Sequence, residues 1–252
     1  LSYGAIPNDT TVNNACAINK AIEECADKGG GTVEVPEGVF TTGSVFLHSG
    51  VTLKLDSGAV LLGSNRLDDY SSLKTTLDLS RYESGQGTVN YNSATDQQWS
   101  KAMIFGVGCT GAGIEGSGCI DGGDVRNALG EEHMRGPHTI ILAGCNDIKM
   151  SGFKLRRSAN YAFLAYLLQK SAFSQLTIEG GWDGIHVRGC RDVTIDGCKI
   201  STGDDAIAGG YWEKMNIRRC LLNSSCNGIR MIMPSTDLEV TDCHIYGPGK
   251  HE

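Results

Sequence analysis

FLAYLLQKSAFSQLTIEGGWDG (163–184), IHVRGCRDVTIDGCKISTGDDA (185–206) and IAGGYWEKMNIRRCLLNSSCNG (207–228) are three consecutive blocks of equal length. Set one under another, they align Phe163, Ile185 and Ile207, with Ile140 before them and Ile229 after, at intervals of 23, 22, 22 and 22 residues. Ten residues further on stand Met150, Phe173, Ile195 and Ile217, with Val240 one place late; fifteen on stand Leu155, Ile178, Ile200 and Leu222, with Ile245 again one late. A period near 22 with three short apolar stretches per turn describes the coil of a parallel β-helix, in which each inward residue packs on its counterparts in the coils above and below. Adjacent coils then lie roughly 4.8 Å apart, the spacing of hydrogen-bonded strands. The expected fold is all-β: a right-handed parallel β-helix with three strands per coil.

Toward the N-terminus the same texture continues in Val33/Val35, Val45/Leu47 and Val51/Leu53/Leu55, each closed by glycine or by Asp56-Ser57-Gly58. Ahead of them Ala15, Ile18, Ile22 and Cys25 recur at helical spacing, with Thr10 or Thr11 as N-cap and Gly29-Gly30-Gly31 as the stop. This predicts a short capping helix within residues 11–28, covering the open end of the strand stack and its unpaired backbone groups. Residues 70–100 break the pattern with a polar stretch rich in Ser, Thr, Asn and Gln, which reads as a long loop or insertion. Residues 1–252 are expected to form one domain; the chain opens at Leu1 and stops at Glu252 in mid-pattern, which reads as a C-terminally truncated piece.

The abundance of glycine, 34 residues, suits a fold with many tight turns, and 40% hydrophobic against 20% charged residues excludes a disordered chain. A net charge of −7 argues against nucleic acid as partner, because phosphate neutralisation needs clustered Lys and Arg. No apolar run is long enough to span a membrane. Of the ten cysteines, Cys198, Cys220 and Cys243 recur at intervals of 22 and 23, as a structural repeat would place them. They are expected to be buried thiols in a stack rather than a disulfide framework; the other seven are left open.

The repeat also orders one turn. Asp183, Asp205 and Asn227 each follow their block's first residue by 20 positions and so form one column on successive coils, with Asp204 beside Asp205. A ladder of Asn, Ser or Thr at such a turn is ordinary structure. Stacked aspartates are not, since like charges about 5 Å apart disfavour joint ionisation and raise one pKa. Carboxylates with separated pKa values are what glycosidic cleavage needs: one acid to protonate the leaving oxygen, one base to activate water.

Several motifs resemble family 28 glycoside hydrolases, the polygalacturonases. They are Tyr3-Gly4-Ala5, Gly29-Gly30-Gly31-Thr32 with Val35-Pro36-Glu37-Gly38, Leu61-Leu62-Gly63-Ser64, Gly118-Cys119-Ile120-Asp121-Gly122 and Ser158-Ala159-Asn160-Tyr161. Trp182-Asp183-Gly184-Ile185 resembles the family's Asn-Thr-Asp-Gly motif, and Thr202-Gly203-Asp204-Asp205-Ala206-Ile207 its Gly-Asp-Asp motif. The resemblance implies hydrolysis with inversion, Asp204 as general acid, and Asp183 with Asp205 holding and deprotonating the water. It implies a plant or algal polysaccharide substrate, pectic or otherwise uronic-acid-containing, with no cofactor or metal, a monomer, and an extracellular or periplasmic location. The thiol-like cysteine stack pulls mildly the other way.

The sequence departs from the family around these aspartates. Cys226-Asn227-Gly228 stands for Gly-His-Gly, Gly181-Trp182 for Asn-Thr, and Gly209-Gly210 for the Ile-Lys after the Asp-Asp pair, while the family's Arg-x-Lys would fall beyond residue 252. Substrate-binding candidates in the altered neighbourhood are Asn227; Tyr211 and Trp212, whose rings would either stack on sugars or pack in the turn; Arg230, which would pair with a uronate or sulfate or else form a surface salt bridge; and His186, expected to point outward near the cleft, either in place of the missing histidine or as an exposed bystander. Two rival readings remain. One is a polysaccharide lyase, with Asp183, Asp204 and Asp205 holding calcium. The other is a non-catalytic glycan-binding β-helix.

Overall fold

In the computed structural model, residues 2–249 are described; the opening at Leu1 and the stop at Glu252 lie outside them. Every ladder between named strands is parallel, and the strands form a sheet of 12 and a sheet of 8. The smaller sheet forms one face, from Gly38–Thr42 through Lys154–Arg156 and Lys199–Thr202 to His244–Tyr246. The larger one bends to make the other two faces. This is the expected parallel β-helix.

The three apolar columns are present. Phe163 pairs with Ile185 and Ile185 with Ile207; Phe173 pairs with Ile195 and Ile195 with Ile217; Ile178 pairs with Ile200 and Ile200 with Leu222. All of these are buried. The one-place lag in the fifth block is real, since Ile217 pairs with Val240 and Leu222 with Ile245. Val240 and Ile245 are exposed, because no described coil stacks on them.

The coil itself differs from the expectation of three separate strands. In the repeating blocks the first two run together as the 12-residue strands Phe163–Ser174, Ile185–Asp196 and Ile207–Arg218. The corner is turned by left-handed residues: Leu167 and Lys170 in the first, Gly189 and Asp192 in the second, Tyr211 and Lys214 in the third. Each of these drops out of the ladder while the residues between them stay paired, so the chain bends and the register on either side is kept.

That corner decides the place of Trp212. It lies in register with Leu168 and Cys190, an inward column, and is buried with its indole N–H donating to the Val187 carbonyl at 2.8 Å. Trp212 is therefore core, and the expectation that its ring meets sugar is overturned. The cysteine stack holds: all ten cysteines are free thiols, Cys198 and Cys220 are buried, and Cys243 is partly so.

The helix spans Ala15–Asp27 and packs Ile18, Ala21 and Ile22 over the first coil. It starts later than Thr10 or Thr11 would cap it. Thr11 instead closes a turn on the Asp9 carboxylate, and the residue at the helix entry, Asn14, spends its side chain tying Ile6 and Thr41 together. Residues 70–100 are irregular apart from one turn of 3₁₀ helix at Ser80–Tyr82. They are nonetheless packed: Leu73, Leu79, Tyr82, Ala94 and Trp99 form a second apolar cluster with the outer side of the β-helix. Phe173 is fully buried and meets Phe163 edge-on at 5.2 Å. Phe173→Ala should cost roughly 3–5 kcal/mol, and urea titration of the two proteins measures it.

Candidate active site

The aspartate column forms where the third face turns back to the first. The Ala162 N–H donates to the Asp183 carbonyl at 2.8 Å, Gly184 to Asp205 at 2.9 Å and Ala206 to Asn227 at 2.9 Å, so residues 22 apart are held one above another. Asp183 and Asp205 are both buried. Asp183 Oδ1 accepts the Asp205 backbone N–H at 3.2 Å, and its Oδ2 lies 2.6 Å from His186 Nδ1. Asp205 Oδ1 accepts from Asn227 Nδ2 at 2.7 Å, and its Oδ2 from Arg230 Nη1 at 3.2 Å. Asn227, standing where the family has histidine, thus contacts the buried aspartate, and Arg230 meets the same carboxylate from a half-exposed position.

Asp204 differs from its neighbours in being partly open, with 28% of its side chain exposed. Arg135 Nη2 approaches it at 3.6 Å, from a guanidinium lying 3.8 Å from the centre of the Trp182 ring. Burial raises the Asp204 pKa, the charges of Asp183 and Asp205 raise it further, and Arg135 opposes them. Asp183 is pushed up to about 7, first by burial and then by the charge of Asp205. The three carboxyls therefore differ in accessibility, Asp204 partly open and Asp183 and Asp205 buried, and two of them, Asp183 and Asp204, bind their protons more tightly than a free aspartate.

Not every predicted site residue lies in the cleft. His186 turns away from the interior as expected but is 2% exposed, because Tyr161 stacks on it at 4.9 Å and the 70–100 segment closes over it. It is a buried partner of Asp183, not an exposed group. Tyr211 packs edge-on against Tyr82 at 5.8 Å, and the Arg81 guanidinium lies 4.0 Å from its ring centre. One face of its ring is thereby taken up by the insertion.

Gly209 and Gly210 have a physical reason. Gly209 sits at φ +132°, where an added Cβ would meet the Val187 carbonyl oxygen at 1.8 Å; one on Gly210 would come within 2.6 Å of Met233. The family's Ile-Lys does not fit this backbone.

Four residues at or behind the site escaped the sequence reading. Arg135 and Arg126 lie in the irregular 122–137 stretch, where no repeat marks a position. Asn92 lies in the insertion, far away in sequence. Arg188 had a signal: it is a charged residue inside a strand, paired in register with Tyr166 and Gly210. A pocket of about 200 Å³, lined by Arg126, Arg157, Ser158, Gly181 and Trp182, adjoins Asp183 through Trp182. A larger hollow of about 660 Å³ is lined by the capping helix and first coil and includes none of the aspartates.

Asp204, Asp205 and Cys226 offer ligand atoms within 4.8 Å of one another. Calcium takes about six to eight oxygens, whereas this set supplies two carboxylates and a soft sulfur. The residues do not fit the calcium centre of a lyase.

The described residues thus form a parallel β-helix with three aspartates gathered at one turn. Residues 25–228 match the glycosyl hydrolases family 28, and the chain belongs to that family. It is 24% identical over 249 residues to an exo-poly-alpha-D-galacturonosidase of Dickeya chrysanthemi (81% of this chain, 40% of that protein). It is 28% identical over 234 residues to a probable polygalacturonase of Vitis vinifera (86% and 45%). The chain thus spans less than half the length of these relatives. A hyperthermoactive exopolygalacturonase from Thermotoga maritima has the same fold, with a TM-score of 0.73 at 19% identity over 97% of this chain and 64% of that one.

The raised pKa of Asp183 has a stability consequence. Between roughly pH 4, where an unfolded aspartate ionises, and about pH 7 the native state keeps a proton that the unfolded chain has lost. Its contribution therefore declines as pH rises through this window. Asp183→Asn should flatten that part of the stability profile; urea midpoints at pH 4, 5.5 and 7 would show it, and an unchanged slope would exclude the shift.

Proposed function

We propose that this chain is the catalytic β-helix of an inverting glycoside hydrolase acting on a uronic-acid-containing plant or algal polysaccharide, with pectin as the first candidate. The observation that carries the reading is the unequal state of the three aspartates: Asp204 half-open with a raised pKa, beside the buried Asp183–Asp205 pair. Asp204 protonates the glycosidic oxygen as the bond to the anomeric carbon breaks. A water held by Asp183 and Asp205 attacks from the opposite face, and its proton passes to that pair. One water is consumed and the configuration inverts.

Arg126 in the adjoining pocket and half-exposed Arg230 suit an anionic chain on a protein that is acidic overall, while Arg135 and Arg157 are already paired with Glu131, Glu132 and Asp121. The names of the relatives point to galacturonan, and Asn227 in place of histidine together with Gly209-Gly210 in place of Ile-Lys points to altered contacts with it. Such a polymer is met outside the cytoplasm, so the reading places the protein in the extracellular space or periplasm, acting as a monomer.

Incubation with polygalacturonate should release reducing ends without a rise in UV absorbance. An unsaturated, UV-absorbing product would replace hydrolysis with elimination, and binding without product would leave a glycan-binding module. Asp204→Asn should lower kcat by about 10²–10⁴-fold, the usual contribution of a general acid. Arg135 lowers the pKa of Asp204. Arg135→Gln should therefore keep the acid protonated to higher pH and move the alkaline limb of kcat upward, which a pH–rate profile of the two proteins checks.

A further inference from the structure

Behind Asp183, on the side away from Asp205, runs a chain of buried polar groups. Asp183 Oδ2 lies 2.6 Å from His186 Nδ1, and Arg188 Nε lies 3.1 Å from His186 Nε2. Arg188 then donates from Nη1 to the Tyr82 carbonyl and from Nη2 to Asn92 Oδ1, both at 2.8 Å. His186 is 2%, Arg188 8% and Asn92 5% exposed, so water cannot replace these contacts.

Donor chemistry fixes the protons in this chain. A guanidinium donates and never accepts. His186 Nε2 must therefore carry the lone pair, which puts the ring proton on Nδ1, facing Asp183. A second proton is opposed by burial and by the charges of Arg188 and Arg230, against the attraction of Asp205; Asp183 itself is the hydrogen-bond partner. The remaining neighbour on the ring face is Tyr161, stacked with an interplanar angle of 1°, with His138 behind it at 5.0 Å from the Tyr161 ring. The Tyr161 hydroxyl closes the circuit on Asn92 Oδ1 at 3.3 Å.

We propose that His186 and Arg188 are positioning residues for the hydrolysis: Arg188 locks His186 as a neutral Nδ1–H donor, His186 holds Asp183 Oδ2 as an acceptor, and the Tyr82–Asn92 part of the insertion anchors the relay. This rests on the hydrolase reading above. In the other tautomer a lone pair would face Asp183 Oδ2, and Asp183 would have to keep its own proton to satisfy that contact. The lock thus favours the form of Asp183 that can take a proton from water, against the burial and the Asp205 charge that disfavour it. The insertion becomes part of the catalytic apparatus without touching substrate.

The test uses the whole chain and two independent readouts. Imidazole ¹⁵N spectra, with His186 assigned by its loss in His186→Asn, should show a protonated Nδ1, a bare Nε2 and no titration from about pH 5 to 8, the range where an ordinary histidine changes charge. Arg188→Met should release both tautomers and bring a His186 titration into that range. In kinetics, Arg188→Met and His186→Ala should lower kcat about 10²-fold with little change in KM, the scale of a misplaced catalytic group. His186→Asn, which keeps an amide donor near the Nδ1 position, should recover at least tenfold over His186→Ala. Asn92→Ala keeps the test alive if Arg188→Met does not fold, since it loosens the same guanidinium and should also admit the second tautomer. Arg191→Gln, on the same strand and exposed, should be unchanged. A wild-type His186 protonated at Nε2, or His186→Ala with wild-type kcat, overturns the relay. Absence of hydrolysis with the ¹⁵N pattern intact would instead overturn the hydrolase reading and leave the tautomer lock standing.

Discussion

The parallel backbone ladder, one residue bonded to its counterpart 22 places on, is the constraint from which the rest of the molecule follows. Across the third corner it stacks Asp183, Asp205 and Asn227 through the Gly184 N–H on the Asp205 carbonyl and the Ala206 N–H on the Asn227 carbonyl, whatever their side chains prefer. Two carboxyl groups are thereby forced into one buried column. The apolar columns of Phe163, Phe173 and Ile178 supply the burial that keeps the ladder from slipping, because a shift of one place would turn each inward side chain outward.

Charge repulsion within that column is met by unequal provision rather than by neutralising each member alike. Asp205 receives Asn227 and Arg230, Asp183 receives a neutral imidazole and a backbone amide, and Asp204 is left with a guanidinium at 3.6 Å and an open side. Identical side chains acquire different chemistry from what each touches. Arg135 and Arg188 matter here as much as the aspartates, since each cation faces a different member of the cluster or its histidine.

What the sequence revealed was whatever the repeat could index. Ile185, Ile195 and Ile200 announce their inward columns, and Asp183, Asp205 and Asn227 announce theirs, because spacing alone fixes their register. Spacing left Trp212 open between sugar stacking and packing, because it does not show that the corner at Tyr211 and Lys214 bends a continuous strand and turns the residue between them into the core. His186 was misread for another reason: outward on a β-helix means exposed only where nothing lies over it, and residues 70–100 cover that face. A non-repeating segment carries no register, so neither its resting place nor the contacts of Asn92 and Tyr82 with Arg188 could be derived from spacing.

The glycine pair at 209 and 210 bears on which substitutions this cleft can accept. With Val187 and Met233 pressed against the places where their side chains would begin, neither position can take an isoleucine or a lysine by one substitution. The coil below and the segment after it would have to retreat first, and nothing would favour that retreat while the glycines remain. The two glycines and the packing around them therefore hold each other in place.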